Sequence, residues 1–545
     1  MTASQPSIAQ AERRAGPSSW LVYAVVVPAI TSGAGLATIA ASGPTSIHSL
    51  TIPWVVTYSA ILATLVGWWA AYAWLHARLA RAPRQGIDWL IWPALALMVS
   101  ILPDAAVILS GRFSYVLVFD EETFRLFRYL AAATIGAAVL AQEAALILAA
   151  REKNLLTAPV ESPPRPRAAA PAISETYATR VLPAIGLTAV IALGIKLRFD
   201  ALDSFHGGDM DVMLSLTYNL LGWPPVHYYH SYVSQAWVYN HFPFFPIVLA
   251  PFYWLFENVL HLPTPWAAKL LIGAADVAIA VLLYRTAGRR RHSWLGMAAA
   301  GLWMLAPWVI GGDDHPISFA ILFGLLALAS LDRPSLCGLA LALGIASRNE
   351  VAFLALPVVV HFVARRPLAQ SATFEGTFGT VLAVIVLPFA LFDPGAMVYA
   401  LVGQLQRDAS TVQSMLFLAL APHLPPAATN FLRYNPSLPA MAAAGLISLA
   451  ALREGRVERV VLLVALVYLV TLPLLYERYF LFLLVLALYY AVRYSNPIVA
   501  VAGALVAWPE FPYAPQLLLA TALVLGAAIL LRPVAPAAEP EVGAA

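Results

Sequence analysis

Between Lys196 and Pro246 the sequence places four carboxylates (Asp200, Asp203, Asp209, Asp211), four imidazoles (His206, His227, His230, His241) and two cations (Lys196, Arg198) among many Tyr and Trp. Only 11% of the chain is charged, so this grouping is a concentration of polar chemistry and not an average stretch of surface. A carboxylate fixed at a low-dielectric rim can take a proton from a hydroxyl. Carboxylates and imidazoles can instead hold a divalent ion, and His227 and His230 have an i, i+3 spacing. On that alternative the ligands are Asp209, Asp211, His227 and His230 and the ion is Mg or Mn. Gly207 and Gly208 let the backbone turn sharply, and VMLSLTYNLL after them predicts a helix whose first turn carries Asp209 and Asp211. In the plainer alternative both Asp residues only cap that helix, and the aromatic residues form an interfacial belt.

Smaller polar groups recur further along. GGDDHP (311–316) sets Asp313, Asp314 and His315 in a tight loop between apolar runs, where a solvated turn is the plain reading. SRNE (347–350) interrupts two apolar segments with Arg348 and Glu350, charges that are costly in a bilayer unless they pair or face a cavity. ERYF (477–480) places Glu477, Arg478 and Tyr479 between two apolar runs, where such residues also serve as interfacial anchors.

The elements that must position these groups are apolar helices. With 61% hydrophobic residues, 11% charged and a mean hydropathy of +0.76, the chain lacks the charged surface of a soluble domain, which needs roughly a quarter charged residues. A bundle of membrane-spanning helices follows, since each span needs about 20 apolar residues. The net charge of +3 does not make a nucleic-acid surface, because the arginines sit in short loops between apolar runs, as orientation signals do. The lone Cys337 excludes an intramolecular disulfide and a Cys-based metal site.

Four spans are predicted near 20–41, 53–75, 88–110 and 129–150, making residues 1–154 an N-terminal four-span unit with a cytoplasmic N-terminus. Residues 155–180, rich in Pro, Ala and Arg, form a cytoplasmic linker. Further apolar segments are predicted near 181–199, 243–260, 266–284, 294–310, 316–331, 335–347, 350–364, 377–392, 437–452, 459–475, 479–493, 496–508 and 515–531. Residues 181–532 thus form a second membrane module, followed by a flexible tail over 533–545. The basic loops 285–292, 364–367 and 453–459 belong in the cytoplasm, which puts 200–242, 311–315, 393–436 and 476–480 together on the opposite side. Parity then allows only one full crossing between 243 and 284.

Taken in order, these pieces resemble the GT-C superfamily of membrane glycosyltransferases, and most closely its bacterial polyprenyl-phosphate-mannose-dependent branch. GDMDVMLSLTYNLLGWPP (208–225) is similar to the family's acidic residue and helix in the first external loop. NHFPFFPIVLAPF (240–252) resembles its aromatic and Pro segment, and Lys269 and Asp276 a Lys and Asp spaced along the next helix. Residues 311–359 resemble its polar loop, span, basic turn and small-residue helix ending in a cation, with Arg348 where the family usually has Lys. ERYF resembles the Arg-Tyr pair heading a late span. The resemblance covers about 181–530.

The resemblance implies an all-α, polytopic bundle with a large extracytoplasmic first loop carrying short helices. It also implies a multi-pass protein of the bacterial plasma membrane that moves a sugar, most specifically mannose, from a polyprenyl-phosphate donor to a lipid, glycan or protein acceptor, inverting the anomeric carbon. Asp209 matches the general base, with Asp211 as its partner or a metal ligand. Arg348, Arg478, Lys196 and Arg198 are the candidates for the donor phosphate, and His206, Asp313, Asp314, His315 and Tyr479 for the substrates. No organic cofactor is implied. A transporter or lipid flippase is the competing class, because charges such as Asp276 and Glu350 inside apolar segments also mark substrate pathways.

Overall fold

The computed structural model describes residues 45–47, 50–53, 55, 56, 59, 62, 63, 181–202, 208–222, 242–288, 293–306, 309–310, 317–348, 351–392, 397, 421–435, 437–452, 456–471 and 480–506. Three of the predicted N-terminal spans, the linker, the tail and the segment 515–531 lie outside them.

The architecture is helical. A two-stranded antiparallel hairpin, β1 (Thr45–Ile47) with β2 (Leu50–Ile52), is paired Thr45 to Ile52 and Ile47 to Leu50 and was not expected from the sequence. The helices are α1 (Leu182–Asp200), α2 (Gly208–Leu221), α3 (Phe244–Leu255), α4 (Thr264–Gly288), α5 (Ser293–Met304), α6 (Ile317–Ala329) and α7 (Pro334–Ser347). They continue as α8 (Val351–Arg365), α9 (Leu368–Phe392), α10 (Pro426–Tyr434), α11 (Ser437–Ser448), α12 (Val457–Thr471), α13 (Phe480–Tyr494) and α14 (Pro497–Val506). A π turn, Phe256–Leu260, prolongs α3, and a 3-10 turn, Leu449–Leu452, prolongs α11. Most predicted segments match these helices to within a few residues, but α9 starts nine residues before the predicted 377.

Among the described residues two helices, α1 and α4, are long and apolar enough to cross a membrane. At 25 residues α4 is about 37 Å long, more than the ~30 Å of a hydrocarbon core. Six shorter apolar helical segments of 10–17 residues accompany them.

Helix polarity can be followed from one end of the bundle to the other. At one end Arg365 Nε donates to the Leu452 carbonyl (3.0 Å) and an Arg366 guanidinium nitrogen donates to the Leu331 carbonyl (3.2 Å). The Tyr494 hydroxyl donates to Glu458 (3.0 Å), and the Arg456 guanidinium lies over the Tyr494 ring. The ends of α8, α11 and α13, the turn after α6 and the start of α12 are thereby tied in neighbouring pairs. At the other end of α6, Phe319 lies edge-on to Phe245 of α3 with ring centroids 5.2 Å apart.

Small residues let the helices approach closely. A Cβ added at Gly338 of α7 would stand 2.5 Å from the Phe374 carbonyl oxygen and 3.1 Å from the Phe378 nitrogen, both backbone atoms of α9. Gly338→Ala must therefore push α7 and α9 apart, and a loss of about 1–3 kcal/mol is expected. Gly324→Ala in α6 is the matched control, because a Cβ there meets open space. Thermal unfolding of the two variants side by side checks this; equal melting temperatures would contradict the close approach.

The N-terminal region shares this core. Val55 and Leu62, helical residues on one face, are buried among Leu216 and Leu220 of α2, Ile247 of α3, Leu343 of α7 and Ile385 of α9. Between them the Ser59 hydroxyl donates to the Ile247 carbonyl. That carbonyl needs an outside donor, since the residue four positions on is Pro251, which has no N–H to offer. Val55, Ser59 and Leu62 are thus packed against α2, α3, α7 and α9.

Candidate functional site

In the described part of the site α2 packs chiefly against α3, and Met210, Met213 and Leu214 of α2 share one buried cluster with Phe245, Leu249 and Tyr253 of α3 and with Ala267, Ala268 and Ile272 of α4. Asp209 and Asp211 fall in the first turn of α2, as expected from GGDMD. Asp211 is exposed, and Met210 between them is buried. The side chain of Asp209 lies outside the described residues.

Helix α4 grips the end of α1. Lys269 is buried, and its ammonium donates to the carbonyls of Ala201 (2.9 Å) and Leu202 (3.1 Å). These carbonyls follow the last turn of α1, where a cation also meets the negative end of the helix dipole. Two turns further along α4, Asp276 is fully buried and accepts from Arg198 Nε (3.0 Å), with a second guanidinium nitrogen also 3.0 Å away. Arg198 Nη1 donates in addition to the carbonyls of Gly194 (2.9 Å) and Met304 (3.2 Å), so the pair fastens α1, α4 and the end of α5 together. Arg198 Nη2 and Asp276 Oδ1 are buried without a hydrogen bond, so the two carbonyls offset the desolvation of the pair only in part.

The predicted cations are therefore in different situations. Arg198 is engaged by Asp276 and two backbone carbonyls inside the bundle. Lys196, two residues earlier, lies on the opposite face of α1, exposed and bound to Asp200 at 2.6 Å. Arg348 caps the C-terminus of α7 with an extended backbone, its N–H donating to the Gly344 carbonyl at 3.0 Å. It is buried and engaged within the protein, next to the helix that Gly338 seats against α9. The structure does not bring Lys196 and Arg198 into one anion site.

His206, His227, His230, Asp313, Asp314, His315, Arg478 and Tyr479 lie outside the described residues. Among the described residues no three His, Cys, Asp or Glu side chains converge on a point that a metal ion could occupy. Lys269 and Asp276 carry the geometry and were absent from the candidate set. Their signal was present, since ionisable residues seven apart on one face of an otherwise apolar span are expensive and need partners.

No protein-family model matches the chain, and no curated protein shows significant similarity to it.

Proposed function

We propose that this chain is a polytopic membrane glycosyltransferase of the GT-C type, moving a sugar, mannose in the first instance, from a polyprenyl-phosphate carrier to a lipid, glycan or protein acceptor. The observation that carries the reading is that α2, whose first turn holds Asp209 and Asp211, packs on α3 in a buried cluster that also includes α4, the helix that grips the end of α1. A carboxylate-bearing helix start is thereby fixed beside the end of an apolar helix long enough to span a bilayer. Fixed geometry is what a general base requires.

In this reading the arginine-tied end of the bundle is cytoplasmic and the α2 end extracytoplasmic, in a bacterial plasma membrane with the N-terminus inside. The lengths of the helices support α4 as the one crossing between 243 and 288, with α3 and its π turn entering and leaving on the outer side. Asp209 accepts the proton of the acceptor hydroxyl, the oxygen attacks the anomeric carbon, and the polyprenyl phosphate leaves with the bonding electron pair. Arg348 and Arg478 are the cations proposed to bind that phosphate and offset its charge. A divalent ion at Asp209, Asp211, His227 and His230 remains the metal version of the site.

Purified full-length protein in lipid, given radiolabelled polyprenyl-phosphate mannose and an acceptor extract, is expected to move label off the carrier. Failure to move label from any of several polyprenyl-phosphate sugars, with several acceptor extracts, would overturn the proposal in favour of transport.

A further inference from the structure

We infer that α10 is an interfacial helix whose partner is the bilayer itself, with Phe431 and Tyr434 seated at the boundary between headgroups and acyl chains, at the end of the bundle away from the arginine pairs. This inference rests on the membrane reading of the bundle and not on glycosyl transfer.

The nine residues of α10 have their ends closed by the chain's own groups. Pro426 stands at the first position, where a missing N–H costs a helix nothing. The Thr429 hydroxyl donates towards the carbonyls of Pro425 (3.2 Å) and Ala421 (3.3 Å), and the Asn435 amide donates to the Phe431 carbonyl at 3.0 Å. What stays open is a stripe of Ala427, Asn430, Phe431 and Tyr434, spaced i, i+3, i+4, i+7 along one exposed side. Phe431 is 56% and Tyr434 55% exposed, and no residue of α10 is buried. A helix about 13 Å long that buries nothing is too short to hold itself in water, so its open aromatic side needs a cover.

The neighbouring helix specifies lipid as that cover. Through Asn435 and Pro436 the chain passes from α10 into α11, where Met441, Leu446, Leu449 and Leu452 are exposed along an apolar helix and its 3-10 turn. Together these are about 26 Å long, close to the ~30 Å of a hydrocarbon core. They end at Leu452, whose carbonyl Arg365 binds at the arginine-tied end. The beginning of α11, where α10 joins it, therefore falls at the opposite membrane surface, and the apolar side that continues into α10 meets the headgroup layer there. A ring with a polar tip suits this depth: the Phe431 ring enters the acyl boundary by about 5–10 Å while the Tyr434 hydroxyl stays among the headgroups. The Arg433 guanidinium lies 5.6 Å over the Tyr434 ring, which sets a cation beside the phosphates.

The test uses the full chain in vesicles of phosphatidylcholine and phosphatidylglycerol, with an environment-sensitive fluorophore on Phe431→Cys or, separately, on Tyr434→Cys. Both side chains are exposed, so neither change removes packing, and the native Cys337 is fully buried and does not compete for label. Leu446→Cys, at a position 70% exposed on α11, is the hydrocarbon reference. The quenchers are lipids with a nitroxide near the headgroup, lipids with a nitroxide near the chain end, and aqueous iodide. The probes at 431 and 434 are expected to lose most of their fluorescence to the shallow nitroxide and little to iodide, and the probe at 446 to lose most to the deep one. Quenching at 431 and 434 by iodide alone overturns the inference and leaves the rings in water, open to a carbohydrate. Protection from every quencher overturns it in favour of a protein cover, a second copy of this chain included. If the probe at 446 is also beyond reach of both nitroxides, the membrane reading of the bundle falls together with the inference, whereas quenching at 446 without quenching at 431 and 434 overturns the interfacial helix alone.

Discussion

Asp209→Asn is expected to lower sugar transfer by about 100- to 10,000-fold while leaving the protein folded and able to bind the donor lipid. The amide is isosteric with the carboxylate, so it can still accept a hydrogen bond at the start of α2, but it cannot take the acceptor proton. Fold should be retained because α2 is held by Met210, Met213, Leu216 and Leu220, none of which the substitution touches. Asp211→Asn is the comparison. Asp211 is exposed, and a smaller loss is expected if it serves as a partner. The measurement is initial rate of label transfer alongside donor binding by filter retention. Equal rates for wild type and Asp209→Asn would remove Asp209 from the chemistry.

The second large effect is on stability. Asp276→Ala leaves the Arg198 guanidinium buried with no counter-charge, and a loss of about 3–5 kcal/mol is expected. Replacing both partners, Arg198→Met with Asp276→Leu, removes the charge and its desolvation cost together and is expected to recover most of that loss. The contrast separates a stabilising attraction from the penalty of an unpaired charge. Thermal unfolding of the two variants and wild type in one detergent checks it. A double variant no more stable than Asp276→Ala would mean that the fastening of α1 to α5 through the Met304 carbonyl matters more than charge balance.

How much of this was legible in the sequence depends on the length scale of the signal. Helices bounded by strong punctuation were readable: α7 starts at Pro334 and stops before Arg348, within a residue of the segment expected from composition alone. The early start of α9 was not, because Gln370, Ser371, Thr373 and Glu375 dilute its first turns. Those turns are helical inside the fold because their polar groups find acceptors, Ser371 donating to the Phe362 carbonyl at 2.6 Å and stacked Phe362 and Phe374 closing the seam. Local composition carries no trace of a partner on another helix.

The site divides in the same way. That Asp209 and Asp211 begin a helix follows from the two glycines and the apolar run beyond them, all within a few residues. That Arg198 belongs to Asp276 does not, since the pair is separated by 78 residues and several other charges were equally available. Charge alone ranked Arg198 with Lys196 as phosphate ligands. Burial, which depends on the face of α1 that meets α4, set one inside the bundle and left the other 69% exposed beside Asp200.

The bond from Ser59 to the Ile247 carbonyl has a bearing on how the chain is made. Synthesis proceeds from the N-terminus, so the donor exists 188 residues before its acceptor and waits for it. When α3 emerges with Pro251 and one backbone carbonyl open, the hydroxyl that closes that gap is already in place on an earlier segment. A chain begun after residue 59 would have to bury that carbonyl unsatisfied, at a cost of about 1–3 kcal/mol. The early segment therefore acts as an internal template, present before the helix whose defect it repairs.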